Sequence, residues 1–246
     1  MTTWTKWAAA ALACTTLAGC AGNQAREGNP QDPWEGFNRG VYTFNDTLDR
    51  YALKPVAQGY DYVTPQPVQE GVGNFFSNLG EISNTFNSLL QWRLTNAGTS
   101  FGRFMINSTL GLGGFLDPAT RMGIEEHDED FGQTLAVWGV GSGPYLVLPL
   151  LGPSTVRDTA GLPVDWYTYP VTYVEDSTTR WTLRFIDLVN TRANLLGQEK
   201  LISGDRYSFI RDAYLQRRQF LINNGRTGPD PFASDNIQLN DSDFAN

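Results

Sequence analysis

The chain holds a single histidine, His127, and only two cysteines, Cys14 and Cys20, in 246 residues. A zinc site needs several nitrogen and sulfur ligands, and no second His or Cys accompanies His127. His127 sits in Glu125-Glu126-His127-Asp128-Glu129-Asp130, whose spacing does not match a calcium-binding helix–loop–helix motif. That run reads as solvated charge, and no metal ligand set can be named. Catalytic signatures are missing as well. Gly139-Val140-Gly141-Ser142-Gly143-Pro144 comes near Gly-x-Ser-x-Gly, but around Ser142 the two flanking glycine positions hold Val140 and Pro144. No glycine-rich phosphate loop followed by Lys and Ser or Thr is present. These absences leave no catalytic residue to name and no cofactor to expect. Charge is sparse too, at 18% of residues with a net charge of −8. Nucleic acid would require a basic face, and anionic headgroups would require clustered Lys and Arg. Any membrane contact must therefore be apolar.

The scarcity of cysteine sharpens at the start of the chain. Met1 to Lys6 carries one positive charge, Trp7 to Leu17 is apolar but too short to span a bilayer, and Leu17-Ala18-Gly19-Cys20 closes on small residues. Residues 1–19 read as a secretory signal peptide. The Leu-Ala-Gly-Cys ending resembles a lipoprotein lipobox, in which the Cys20 thiol takes a diacylglyceryl group and becomes the mature N-terminus. The alternative is an ordinary signal peptide that happens to contain a cysteine. Cys14 leaves with the leader, so no disulfide can form within the mature monomer, even in an oxidising compartment. Acyl chains contribute about 0.8 kcal/mol per buried methylene, enough in combination to anchor the chain. The residue after Cys20 is Ala21 and not the Asp that often retains lipoproteins in the inner membrane, so the expected address is the outer membrane, facing the periplasm.

About 227 residues remain, enough for one well-buried domain or two small ones. Residues 20–31 are polar and aperiodic and read as a flexible tether. Residues 32–225 form the expected domain. Residues 226–246, with four aspartates and two prolines, read as a disordered acidic tail. Periodicity in the domain is mostly helical. Phe37, Val41, Phe44, Leu48 and Tyr51 mark a first helix that Pro55 should stop. Val72, Phe75, Phe76, Leu79, Ile82, Phe86, Leu89 and Leu90 mark a second. Phe101, Phe104 and Met105 mark a third, ended by Gly111, Gly113 and Gly114. Trp181 to Leu196 marks a fourth, with Ser177 or Thr178 as its cap. Tyr207 to Leu221 marks a fifth, closed by Gly225. Strand-like alternation is confined to Leu135–Leu151, where two apolar runs flank the glycine-rich segment 139–144 like a hairpin.

Three features depart from an ordinary helical protein. The second helix carries Asn74, Ser77, Asn78, Asn84, Asn87 and Ser88 on its polar face, with only Glu81 charged. Such a face suits a buried contact or the wall of a polar channel. Phe131 to Val156 has no charged residue, yet its five glycines and three prolines rule out a continuous membrane helix. It is either a buried hairpin or a loop held inside a pore, because unpaired backbone survives at membrane depth only where protein or water satisfies it. Trp166, Tyr167, Tyr169 and Tyr173 cluster among prolines, as rings at a headgroup interface do and as core rings also do.

A family resemblance rests on ordered motifs running from about residue 32 to 222. They begin with Asp32-Pro33-Trp34-Glu35-Gly36-Phe37-Asn38-Arg39, then Phe44-Asn45, Asp49-Arg50-Tyr51 and Lys54-Pro55-Val56-Ala57. Asn74-Phe75-Phe76-Ser77-Asn78-Leu79, Asn87-Ser88-Leu89-Leu90-Gln91, and Arg103-Phe104-Met105-Ile106-Asn107 through Gly111-Leu112-Gly113-Gly114 and Asp117 follow. Phe131-Gly132-Gln133-Thr134-Leu135, Gly143-Pro144-Tyr145, Leu148-Pro149, Gly152-Pro153 and Arg157-Asp158 complete the set. Together they resemble the MlaA (VacJ) lipoprotein family. The acidic run 125–130 and the tail after 226 lie outside that pattern.

The resemblance implies a mainly α-helical ring embedded in the outer membrane, with a central amphipathic channel and one short Gly/Pro-rich hairpin. It implies removal of mislocalised glycerophospholipids from the outer leaflet, association with a trimeric porin, and delivery of the lipid to a periplasmic carrier protein. On that reading the polar face from Asn74 to Ser88 lines the channel. Gly139, Gly141, Gly143, Pro144, Pro149 and Pro153 form a gating segment. In the opening motif, Pro33 sets the entry into the first helix, Phe37 begins its apolar stripe, and Asn38 and Arg39 have architectural roles. Arg39, poorly placed for the helix dipole, should find a carboxylate such as Asp49 or Asp158. The alternative function is a non-transporting scaffold that tethers partners at the outer membrane; a lipid-acting enzyme is more distant for want of residues to act with. Cys20→Ser is expected to yield an unprocessed or soluble precursor that no longer incorporates labelled palmitate, and persistent labelling of that variant would refute the lipobox reading.

Overall fold

The structure, a computed structural model, describes residues 29–201 and 204–226. The leader 1–19, Cys20, most of the tether and the tail beyond 226 lie outside the described residues. Helix α1 (Glu35–Leu48) does not stop at Pro55. It passes through a π-helical turn, Asp49–Leu53, into α2 (Lys54–Val63). The Lys54 N–H reaches back five residues to the Asp49 carbonyl. The wider turn admits a proline, which lacks a donor and would crowd the carbonyl four residues earlier. Helices α3 (Gln66–Leu90) and α4 (Leu94–Thr109) follow as an antiparallel hairpin, then the short α5 (Pro118–Arg121) and α6 (Phe131–Val137).

The β-hairpin is real but displaced from its expected place. Its strands are β1 (Tyr145–Leu148) and β2 (Gly152–Thr155), paired from Tyr145–Thr155 to Leu148–Gly152. Its turn is Pro149–Leu151, whereas Leu135–Val137 ends α6 and the glycine-rich residues 139–143 form a linking loop. Helix α7 (Val156–Thr168) carries Pro163 within it, and a 3₁₀ turn, Pro170–Tyr173, leads to α8 (Ser177–Asn194). The cap of α8 is neither Ser177 nor Thr178 but Asp176, whose carboxylate accepts the Thr179 N–H at 2.6 Å. A second 3₁₀ turn, Gln198–Leu201, precedes α9 (Arg206–Ile222).

Contacts between elements trace a closed circuit. Helix α1 meets β1, β2 meets α9, α9 meets α6, α6 meets α3, α3 meets α8, and α8 meets α2, which is continuous with α1. This is the connectivity of a mainly helical ring. Two glycines permit one of its closest crossings: a Cβ on Gly161 of α7 would lie 2.8 Å from the Gly132 nitrogen of α6.

The interior inverts the usual distribution of polarity. Among the described residues, buried polar or charged side chains outnumber buried apolar ones more than twofold. Large apolar residues such as Phe37, Phe44, Phe86, Phe101, Trp138 and Trp181 face outward. The α3–α4 seam is the clearest case. Arg103 and Glu81 are both about 1% exposed and pair at 2.5 Å. The Arg103 guanidinium also donates to the Thr120 hydroxyl, the Ile124 carbonyl and Asp117.

This seam corrects the channel-lining expectation for four residues. Asn78, Asn84, Asn87 and Ser88 are buried against neighbouring elements. Asn78 donates to Ser108 of α4, Asn84 accepts the Glu129 N–H, and Asn87 accepts from the Thr134 hydroxyl of α6. Asn74, partly exposed, donates to the Phe115 carbonyl. At these positions the polar face is glue between elements, while Ser77 lines a cavity.

The acidic run 125–130 is only partly a solvated charge run: Glu125, Glu126 and Asp128 are exposed, whereas its second half turns inward. Glu129 is buried and pairs with Arg93 at 2.9 Å, Glu126 meets Arg103, Asp128 pairs with Arg217, and Asp130 pairs with Arg218 while capping α6. The segment is a strap whose carboxylates bind arginines of α4 and α9 and the turn between α3 and α4. Among the described residues no group of three or more His, Cys, Asp and Glu is arranged to hold a metal ion.

Removing one partner of the Glu81–Arg103 pair strands a charge in the interior. Arg103→Met is expected to cost about 3–5 kcal/mol, and Glu81→Leu added to it to recover part of that loss, because the stranded carboxylate goes with it. Unfolding transitions in mild detergent measure both. A double variant less stable than Arg103→Met alone would overturn this account of the seam.

Candidate functional site

The opening motif builds one wall of the site. Asn38 is fully buried on α1 and uses its whole amide. Its Nδ2 donates to Asp32 at 2.8 Å and to the Tyr145 carbonyl at 3.0 Å, and its Oδ1 accepts the Val147 N–H at 2.9 Å. Two turns later Asn45 repeats the pattern, donating to the Leu148 carbonyl and accepting the Leu150 N–H, both at 2.9 Å. The second bond holds Leu150 at φ +66°, a left-handed conformation that branched side chains rarely adopt. The two asparagines act as a substitute strand along the free edge of β1. Asp32 ties this wall to α9 by accepting from the Tyr207 hydroxyl at 2.5 Å and from Arg211 at 3.3 Å.

Pro33 lies in the turn before α1, and Phe37 points outward at 46% exposure. Arg39 pairs with neither Asp49 nor Asp158. Its partners are Glu35 at 2.7 Å and Asp205 at 2.6 Å, and its guanidinium lies 4.3 Å from the Tyr207 ring centre. The Arg39 and Ser208 hydrogen bonds hold the Asp205 carboxyl well below the usual carboxylate range. Asp158 instead meets Arg157 and Arg218.

Between them α1, the hairpin, α8, α9 and the second 3₁₀ turn line an open cavity of about 420 Å³. Tyr42, Tyr145, Val147, Pro153, Leu195, Phe209 and Ile210 supply apolar wall, while Asp46, Asp49, Arg192, Glu199 and Arg206 supply charge. Most of that charge is neutralised locally. Asp49 receives both arms of Arg192, at 2.7 and 2.8 Å, and Glu199 joins Arg192 to Lys54. The hydrogen bonds from Lys54 and then Arg192 keep the Glu199 carboxyl low, that is, charged. Arg206 is less engaged: its nearest carboxylate, Asp46, is 3.7 Å away and its Nε is buried without a partner.

A second cavity of about 390 Å³ shares Leu195 with the first. It lies between α3, α8 and the turn after α7, and Phe76, Ser77, Tyr169, Asp187 and Asn190 are among its lining. A third, of about 530 Å³, shares Asn194 with the second and opens beside Thr64–Gln66. The α8 face from Asp187 to Leu195 therefore borders three neighbouring cavities.

Of the residues singled out from sequence, the cavities gather Ser77, Asp49 and Pro153, together with Gly152 from the hairpin. The gating residues divide. Pro149 and Pro153 belong to the hairpin pinned by Asn38 and Asn45, and Pro144 accepts the Val156 N–H. Gly139, Gly141 and Gly143 lie in the exposed linking loop. Trp166, Tyr167 and Tyr173 point outward, whereas Tyr169 turns into the second cavity. Sequence reasoning missed Tyr42, Arg192, Arg206 and Asp187 as cavity residues. The available signal was a polar side to α8, with Asp187, Asn190, Thr191 and Asn194 at helical spacing. Among the described residues no helix is long and apolar enough to cross a membrane.

Comparison with known proteins agrees with this architecture. Residues 30–221 match the MlaA lipoprotein family. The chain is 39% identical over 236 residues to the intermembrane phospholipid transport system lipoprotein MlaA of Escherichia coli K12 and to that of Shigella flexneri, covering 90% of each chain. It is 35% identical over 227 residues to the Haemophilus influenzae counterpart, covering 88% of this chain and 90% of that one. A solved chain from work on the structural basis for maintenance of bacterial outer membrane lipid asymmetry superposes with a TM-score of 0.67. It is 38% identical and covers 78% of this chain and 99% of its own length. On the extent of these matches and the shared helical architecture, the chain belongs to the MlaA lipoprotein family.

Proposed function

We propose that the chain, held at the outer membrane through lipid on Cys20, removes misplaced glycerophospholipids from the outer leaflet through its central cavities. It passes them to a periplasmic carrier while seated beside a trimeric porin. The observation that carries this reading is the pairing of an apolar outer surface with internal cavities whose walls are part apolar and part charged. The outer surface matches acyl chains, since apolar residues facing lipid cost nothing in hydration. The inner surface suits an amphipathic passenger, with tail against Phe209 and Ile210 and headgroup against Arg206 and Asp46. Relatives named as lipoproteins of a phospholipid transport system support the transport class over a catalytic one.

In this reading the hairpin is a fixed wall, because two side-chain amides and the β pairing hold it to α1. Gating movement is left to the loop 139–143, where Gly139 at φ +92° and Gly143 at φ +66° adopt conformations open to glycine. Locking the wall with a disulfide between Asn45→Cys and Leu150→Cys is expected to leave transfer intact. Reversible loss of transfer on oxidation would make the hairpin itself the gate.

Ile210→Trp places a larger side chain in the wall of the 420 Å³ cavity and changes no charged residue. It is expected to lower phospholipid co-purification and to raise outer-leaflet phospholipid and detergent sensitivity severalfold, at normal protein abundance. A scaffold that only tethers partners would be indifferent to the change.

A further inference from the structure

Of thirteen partly or fully buried carboxylates among the described residues, twelve have a partner, and Asp187 stands apart from the rest. Among the described residues, Asp32, Glu35, Asp46, Asp49, Glu81, Asp117, Glu129, Asp130, Asp158, Glu199 and Asp212 each meet an arginine or lysine, and Asp165 accepts the Phe131 N–H. Asp187, partly buried on α8, has neither an ion pair nor a hydrogen bond among them. It is also the one charged side chain lining the second cavity, whose lining includes the aromatic residues Phe76 and Tyr169. The nearest arginine along the helix, Arg184, is turned elsewhere. It donates to Thr172 at 2.9 Å and lies 5.7 Å from the Trp181 ring centre.

A half-buried carboxylate without a partner weakens a fold, and the neighbouring Asn190 and Asn194 show that a neutral polar group fits this helix face. The lining has the chemistry of ammonium recognition: one negative charge, two aromatic side chains, hydroxyl and amide groups, and no cation among the lining residues, the nearby Arg184 donating to Thr172 outside it. A bare phosphate would be repelled there. We propose that Asp187 binds the ammonium group of an ethanolamine-type glycerophospholipid as it passes through the second cavity, an inference that rests on the transfer function above. It makes the cavity a headgroup-selecting station, with Phe76 and Tyr169 flanking the nitrogen.

The test uses the full-length acylated protein in mild detergent, incubated with equal amounts of phosphatidylethanolamine and phosphatidylglycerol, and reads the bound lipid by mass spectrometry. Wild type is expected to enrich the ethanolamine lipid. Asp187→Asn is expected to lower the ethanolamine-to-glycerol ratio roughly fivefold, in the range of one charge-assisted contact, and Asp187→Glu to restore much of it. Thermal unfolding of Asp187→Asn is expected at the wild-type temperature or above, whereas a structural role would lower it. A second measurement needs no variant: N-acetylating the ethanolamine lipid removes its charge and is expected to weaken binding to wild type by the same factor. An unchanged ratio in Asp187→Asn, or equal binding of the acetylated lipid, would overturn the headgroup assignment while leaving transfer standing. Displacement of the lipid by free ethanolamine would reassign the site to small amines. Wild-type protein that bound neither phospholipid would overturn the transfer reading along with this one.

Discussion

The ion pair between Glu81 and Arg103 is the contact on which the α3–α4 seam depends, and through that seam much of the ring. A protein that turns Phe86, Leu89, Phe101 and Met105 outward has given up much of the ordinary source of cohesion between these two helices. What remains is directional. Arg103 spends its guanidinium on α3, on α5 and on the strap that follows, so one side chain fixes the relative placement of three segments. Such groups are costly to bury and are retained where alternatives to one arrangement must be excluded. The strap extends the same logic to α9 through Asp128 and Asp130.

The hairpin wall shows a second solution to the same constraint. An isolated two-stranded ribbon is marginal in water and exposes unpaired backbone along its edges. Here one edge is satisfied by amide side chains from a helix. Seven residues of helix rise about 10.5 Å and three residues of strand about 10 Å, so Asn38 and Asn45 can each meet the strand at matching positions. Glutamine would be a methylene too long and aspartate would lack the donor, which explains in physical terms why asparagine stands at both places. Leu150, held in a left-handed conformation by the second of these bonds, shows how tightly the wall is defined.

Much of this was legible from sequence, and the failures have a common cause. The long helices α1, α3, α4, α8 and α9 follow from their apolar spacing, which reports a face regardless of whether that face meets core or lipid. That indifference is also where the reading broke down. The Asn-rich face of α3 was open between a buried contact and a channel wall, and only the position of α4 and α6 decided for the former. The acidic run looked solvated because its partners Arg93, Arg103, Arg217 and Arg218 are far away along the chain. Pro55 was read as a stop because a π-turn leaves no trace in apolar periodicity. The resemblance of ordered motifs supplied the ring, which residue patterns alone did not contain.

An interior built from paired polar groups also changes what counts as a functional signal. In an apolar core any buried charge draws notice; in this one, charge is the ordinary building material, and almost all of it is matched close at hand. Asp49 is occupied by Arg192, and Glu199 by Lys54 and Arg192, so these groups brace the cavity wall and have little left to offer a passenger. The informative groups are those the fold leaves incompletely engaged on a cavity wall: Arg206, with its distant carboxylate and buried Nε, in the first cavity, and Asp187 in the second. They carry opposite charges and line adjoining cavities. A passenger with one anionic and one cationic group in its head, and apolar chains behind it, would meet a matching group in each. Under the proposed transfer function, this separation of bracing charges from available ones would give the passenger's route its chemical preferences.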